Sequence, residues 1–168
     1  MNVIFIPTGP YKIPVYQGKA SRIITENEEK MFWNKYSAIG KQRGCYVFGI
    51  RAGGGLTPGY VGRATKSFKQ EVFTHHKLSK YHQFLADYQR GTPVLFFLSY
   101  PVMKGAPKVS HIQELEDFLI QACVKVNPGL LNIKGTKAEE WGISGVLRGA
   151  TGKPSKSARS FKILIKMK

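Results

Sequence analysis

The stretch that most constrains this chain runs from residue 44 to residue 62, GCYVFGI-RAGGGLTP-GYVG. Residues 44–50 are rich in β-forming side chains, and residues 59–62 make a second, shorter run of the same kind. The glycine-rich segment 51–58 between them reads as a turn or flexible loop. Two such runs around a turn specify a β-hairpin with a wide loop. A third strand-like run, PVLFFLSY at 93–100, has the character of a buried strand, with Phe96, Phe97 and Leu98 as core.

Helical spacing marks four further segments: 26–38, entered through a Thr25 cap, 66–78, 79–88 and 109–126. Residues 129–133 (GLLNI) read as a short buried stretch. The order of these elements predicts an α+β fold, a small three-stranded, mostly antiparallel sheet flanked by helices. Residues 1–24 carry Pro7, Pro10 and Pro14, which limit any helix, and are expected to be extended and irregular. The chain divides into an N-terminal extension at 1–42, a core at 43–134 and a basic C-terminal segment at 135–168. The extension is expected to cover an edge strand, make a dimer contact or touch DNA, and its sequence does not choose. The C-terminal segment ends in an apolar-basic, strand-like run. Trp33 and Trp141 are expected to anchor packing.

Charge narrows the function. Lys and Arg total 26 against 10 Asp and Glu, a formal net charge of +16 in 168 residues. Such an excess costs self-repulsion that folding alone does not require. Its usual use is a polyanion, and nucleic acid is the leading candidate. An anionic membrane surface or an acidic protein is the alternative. No apolar run approaches the roughly 18–20 residues that cross a bilayer, which excludes a transmembrane helix. The start, MNVIFIPTGPYK, lacks the basic and apolar regions of a secretory signal. Cys45 and Cys123 make no metal-binding or redox spacing, so a reducing cytoplasm is the expected setting.

Two helices carry carboxylates on the wrong face. At 100° per residue, Ile112, Leu115, Leu119, Cys123 and Val126 share one face of the 109–126 helix. Glu114 and Asp117 point away from it, but Glu116 falls on the apolar side. A carboxylate there needs a metal or a Lys/Arg partner, because burying it bare is costly. In the 66–78 helix Phe68, Val72 and Leu78 point inward, and Glu71 and His75 share that face one turn apart. The pair reads either as a polar site or as an internal Glu–His hydrogen bond.

Gly44-Cys45-Tyr46 followed by Tyr60-Val61-Gly62 resembles the signature of the GIY-YIG nuclease family. The resemblance covers roughly residues 43–134, with His75, Glu116 in ELEDF and Asn132 in LLN in the family's order, and Arg63 where the family often has a basic residue. It implies a GIY-YIG-like fold and a metal-dependent endonuclease that hydrolyses phosphodiester bonds in double-stranded DNA. It implies one Mg²⁺ or Mn²⁺ held mainly by Glu116, which Glu71 could join. Tyr46 or Tyr60 would orient or deprotonate the water, with Arg63 lowering the phenol's pKa. His75 would act as base or proton relay, and Asn132 would steady the site. The family's catalytic arginine is unmatched, since it falls at Gln70 or Glu71. Lys69 or Arg63 is left to stand in for it. That departure keeps a second reading open, a nucleic-acid-binding module of the same fold that has lost cleavage. A basic protein-binding or ribosome-associated factor is a third. A homodimer is compatible with any of them. The AGGG run at 52–55 is no phosphate loop, because it lacks the following Lys-Ser/Thr.

Overall fold

The computed structural model describes residues 3–101, 107–132, 134, 143, 144, 146 and 153–164. The hairpin forms as expected but with a tighter turn. Strand β4 (Gly44–Ala52) pairs antiparallel with β5 (Gly55–Ala64). Only Gly53 and Gly54 lie between them, at φ of 55° and 80°. Two successive residues with positive φ match the right-handed twist of the flanking strands, so the expected eight-residue loop shrinks to two. A register shift after Phe48 leaves Gly59 without a direct partner.

The sheet has four strands, not three. Strand β6 (Thr92–Ser99) pairs antiparallel with β4, and β1 (Ile6–Lys12) pairs antiparallel with β6. The order is therefore β1-β6-β4-β5. Pro7 and Pro10 forbid a helix but not an edge strand, where a missing N–H faces outward. Tyr16–Gln17 (β2) and Arg22–Ile23 (β3) form a separate two-stranded ribbon.

Helix α1 (Glu26–Lys35) starts at Thr25, as expected. The Thr25 side chain accepts from Asn27 N, and Glu28 returns a bond to Thr25 N at 3.1 Å, so two otherwise orphan donors are satisfied. After the one-turn α2 (Ser37–Gly40), the segment read as a helix over 66–78 splits in two. Helix α3 (Phe68–Glu71) begins at Ser67, whose Oγ accepts from Gln70 N. Helix α4 (His75–Asp87) begins at Thr74, which is extended at φ −65° and ψ 151°. Val72 and Phe73 in the break are both buried. Both side chains pack into the core, Val72 closing α3 and Phe73 preceding the Thr74 cap from which the helix restarts. Helix α5 (Val109–Val126) has its expected bounds.

Alternation along the hairpin divides the core between the two faces of the sheet. Tyr46, Phe48 and Ile50 join Phe32, Trp33, Phe68, Phe73, Tyr81, Phe84 and Phe97 on one face. Phe48 stacks on Tyr81 with ring centroids 4.2 Å apart. Val47 and Val61 face the other way, toward Leu119, Ile120 and Cys123 of α5. Residues 1–136 make up one compact unit and residues 137–168 a second. The 1–42 segment thus supplies an edge strand and core aromatics to the first unit. In the second, residues Lys156–Leu164 are helical (α6), where a strand-like run was expected over its end. Trp141, Ile133 and the last four residues lie outside the described residues. No described helix is long and apolar enough to cross a membrane.

Candidate active site

A cleft of about 490 Å³ straddles the β5 edge of the sheet. Tyr60 reaches it from one face of β5 and Arg63 from the other, as the alternation of a strand requires. Helix α5 contributes Glu116, Asp117 and Ile120. The start of α4 contributes His76, Lys77 and Lys80, and the end of α3 contributes Glu71. Leu131, Asn132 and Lys134 close the wall. The cleft thus gathers three acids and four Lys or Arg side chains.

Glu116 is on the apolar side of α5, and its partner is Arg63. Arg63 Nη1 donates to Glu116 Oε2 at 2.7 Å. Burial pushes the Glu116 carboxyl above its ordinary value, and Arg63 offsets this only in part. Among the described residues, its second oxygen accepts no hydrogen bond. Glu71 lines the same cleft, but Lys66 N donates to its Oε1 at 2.6 Å.

Asn132 turns both ends of its amide to the edge strand. Val61 N donates to its Oδ1 at 2.9 Å, and its Nδ2 donates to Val61 O at 2.8 Å. Leu131 N to Gly59 O and Asn127 Nδ2 to Pro58 O extend the same seam. Residues 127–132 therefore seal β5 and fix the strand that carries Tyr60 and Arg63. The Asn132→Asp variant keeps the acceptor but sets an oxygen against Val61 O. Its expected cost is about 1–3 kcal/mol of stability, measured by urea unfolding.

Tyr46 departs from expectation. It is fully buried and does not line the cleft. Its Oη faces the Tyr81 hydroxyl but makes no well-formed hydrogen bond among the described residues. Burial pushes the phenol well above its ordinary pKa, so it is no base toward water in the cleft. Gly62 explains how it fits, because a Cβ there would lie 2.3 Å from Tyr46 Oη. Tyr60 does line the cleft, half-buried. Its pKa is also raised, by burial first and then by Glu116, and Arg63 does not reverse the shift. The expected lowering of a hairpin phenol by Arg63 is therefore not found.

His75 is exposed and outside the cleft, whereas His76 lines it. The reason is the break at Thr74, which resets the helical phase and separates Glu71 from His75. Gln70 and Lys69 are exposed and away from the cleft. The residue that sequence reasoning missed is Lys77. Its Nζ donates to Glu71 O at 2.6 Å and to Arg63 O at 3.4 Å, and lies 5.3 Å from the centre of the Tyr46 ring. The only signal that could have found it was a helix start at Thr74. Cys45 donates its thiol to Ile112 O at 3.2 Å, and burial pushes its pKa up to about 12, which excludes it as a nucleophile.

No group of three or more His, Cys, Asp or Glu side chains fit to cage a metal occurs among the described residues. The donors still suit a hard divalent ion that keeps most of its waters, since Mg²⁺ is commonly held by one or two carboxylates. Among the described residues Glu116 has an oxygen without a hydrogen bond, and Asp117 and Glu71 border the same cleft. Comparison with models of known families, with curated proteins and with solved structures finds no match to this chain.

Proposed function

We propose that this protein is a metal-dependent endonuclease of GIY-YIG-like type that hydrolyses phosphodiester bonds in double-stranded DNA. The observation that carries the reading is convergence. Tyr60, Arg63, Glu116 and Asn132, which the resemblance names from three separated stretches of sequence, meet at one cleft. The net charge of +16 supports a polyanionic substrate.

Hydrolysis forms a bond from a water oxygen to phosphorus and breaks the bond from phosphorus to one deoxyribose oxygen. One water proton ends on that leaving oxygen, and the new phosphate keeps the other ester link. Glu116, assisted by Asp117 or Glu71, would hold Mg²⁺ or Mn²⁺, which when bound stabilises negative charge on the phosphate and leaving oxygen. Tyr60, kept protonated by its raised pKa, donates or accepts a hydrogen bond that orients the water. His76 takes the place expected of His75, because it lines the cleft and an imidazole nitrogen can both accept and release a proton. Arg63 holds Glu116 in position until the substrate enters. Asn132 acts on none of these atoms; it holds β5 in register. Tyr46, sealed outside the cleft, lies under the Lys77 ammonium.

The experiment is incubation of purified protein with supercoiled plasmid and Mg²⁺ or Mn²⁺, with and without EDTA. Metal-dependent conversion to the nicked or linear form is expected. Salt-sensitive DNA binding without cleavage would replace this reading by that of a cleavage-deficient binding module.

A further inference from the structure

We propose that Lys77 is a catalytic residue, the cation that contacts the scissile phosphate and does the work for which neither Gln70 nor Glu71 carries a positive charge. The inference rests on the reading of the cleft as a phosphodiester-hydrolysing site and assigns a residue that neither the charge pattern nor the resemblance identified.

Charge added to the phosphate in the transition state needs a fixed donor close by. Arg63 is committed to Glu116 at 2.7 Å. Lys69 is outside the cleft. Lys80 and Lys134 line it, but no hydrogen bond of theirs to the rest of the chain fixes either ammonium among the described residues. Lys77 differs in three respects. Its ammonium is held by two main-chain carbonyls, those of Glu71 and Arg63. It rests above the Tyr46 ring, which Gly62 allows to pack directly beneath β5. It has no carboxylate within ion-pair distance among the described residues, where the ion pairs are Lys30–Glu26 and Arg63–Glu116.

A half-buried ammonium hydrogen-bonded only to neutral carbonyls has lost water without a contacting counter-charge, since the Glu71 and Glu116 carboxylates act on it only from beyond ion-pair distance and do not make good its burial. A phosphate entering the cleft supplies that charge. An ammonium has three N–H donors, and the two carbonyls leave the third for a phosphate oxygen. The carbonyls also aim it, so little reorganisation is needed when the charge develops.

The test compares wild type, Lys77→Met and Lys77→Arg for plasmid nicking at saturating Mg²⁺, with KM and kcat separated and melting temperatures recorded. The expected result is a fall in kcat of about 10²–10³-fold for Lys77→Met, with KM changed by less than about threefold. Lys77→Arg is expected to keep activity within about tenfold of wild type. Should Lys77→Met fail to fold, Lys77→Ala with added ethylammonium serves instead, and recovery of nicking is expected. Wild-type kcat in Lys77→Met, equal losses in two folded variants, or no recovery with the amine would overturn the assignment while leaving the endonuclease reading intact. A wild-type protein that cleaves nothing under any metal condition removes both.

Discussion

Replacing Glu116 by alanine is expected to end metal-dependent nicking, with turnover falling by about 10³-fold or more. A metal acting as Lewis acid supplies several kcal/mol to the transition state, and each factor of ten corresponds to about 1.4 kcal/mol. The change is expected to leave the fold intact. The carboxylate's only hydrogen-bonded partner among the described residues is Arg63, whose side chain is 41% exposed. Freed of Glu116, Arg63 turns to solvent instead of remaining a buried unpaired charge. Burial also penalises the Glu116 carboxylate, so its loss removes an unfavourable term along with a favourable one. Nicking assays beside a thermal melt check both parts. Wild-type nicking by the variant would show that Glu116 is a structural salt-bridge partner and no more.

The second large effect concerns stability. Gly44→Ala is expected to cost about 3 kcal/mol or more and to lower the melting temperature by roughly 10 °C. Gly44 has φ of +143°, and a Cβ on it would lie 2.1 Å from Leu98 O and 3.0 Å from Tyr100 N. Both atoms are main chain, and Leu98 belongs to β6, which is locked between β1 and β4. Neither can move aside without breaking the sheet. A melting temperature within a few degrees of wild type would contradict this packing. Gly62 is required for another reason, since the atom it must avoid is a side-chain oxygen, Tyr46 Oη. The two glycines of the GCY and YVG tripeptides are thus explained by close approach, joined at Gly44 by a positive φ.

Local patterns announced those parts of the molecule that local forces decide. The hairpin, the Thr25 cap and the 18 residues of α5 follow from β-forming runs around a glycine-rich turn, from capping and from a 3.6-residue period. Glu116 stood out because one carboxylate broke an otherwise apolar stripe, and it found the arginine partner that such a position demands. What escaped depends on tertiary context. Proline suppressed any regular reading of β1, although an edge strand tolerates it. The break at Thr74 could not be seen in a segment whose apolar spacing runs through it, and it exchanged His75 for His76 and brought in Lys77. Tyr46 and Tyr60 look alike in sequence. Only the stacking of the core decides that one is sealed and the other open.

Crystals of the full chain soaked in MnCl₂, with an anomalous difference map collected at the manganese edge, test the central idea most directly. The expected map has its main peak in the cleft, against the Glu116 carboxylate and within reach of a phosphate bound beside Tyr60. A map with no peak at Glu116 under manganese concentrations that support nicking, or with its only peak on another surface of the protein, would contradict it.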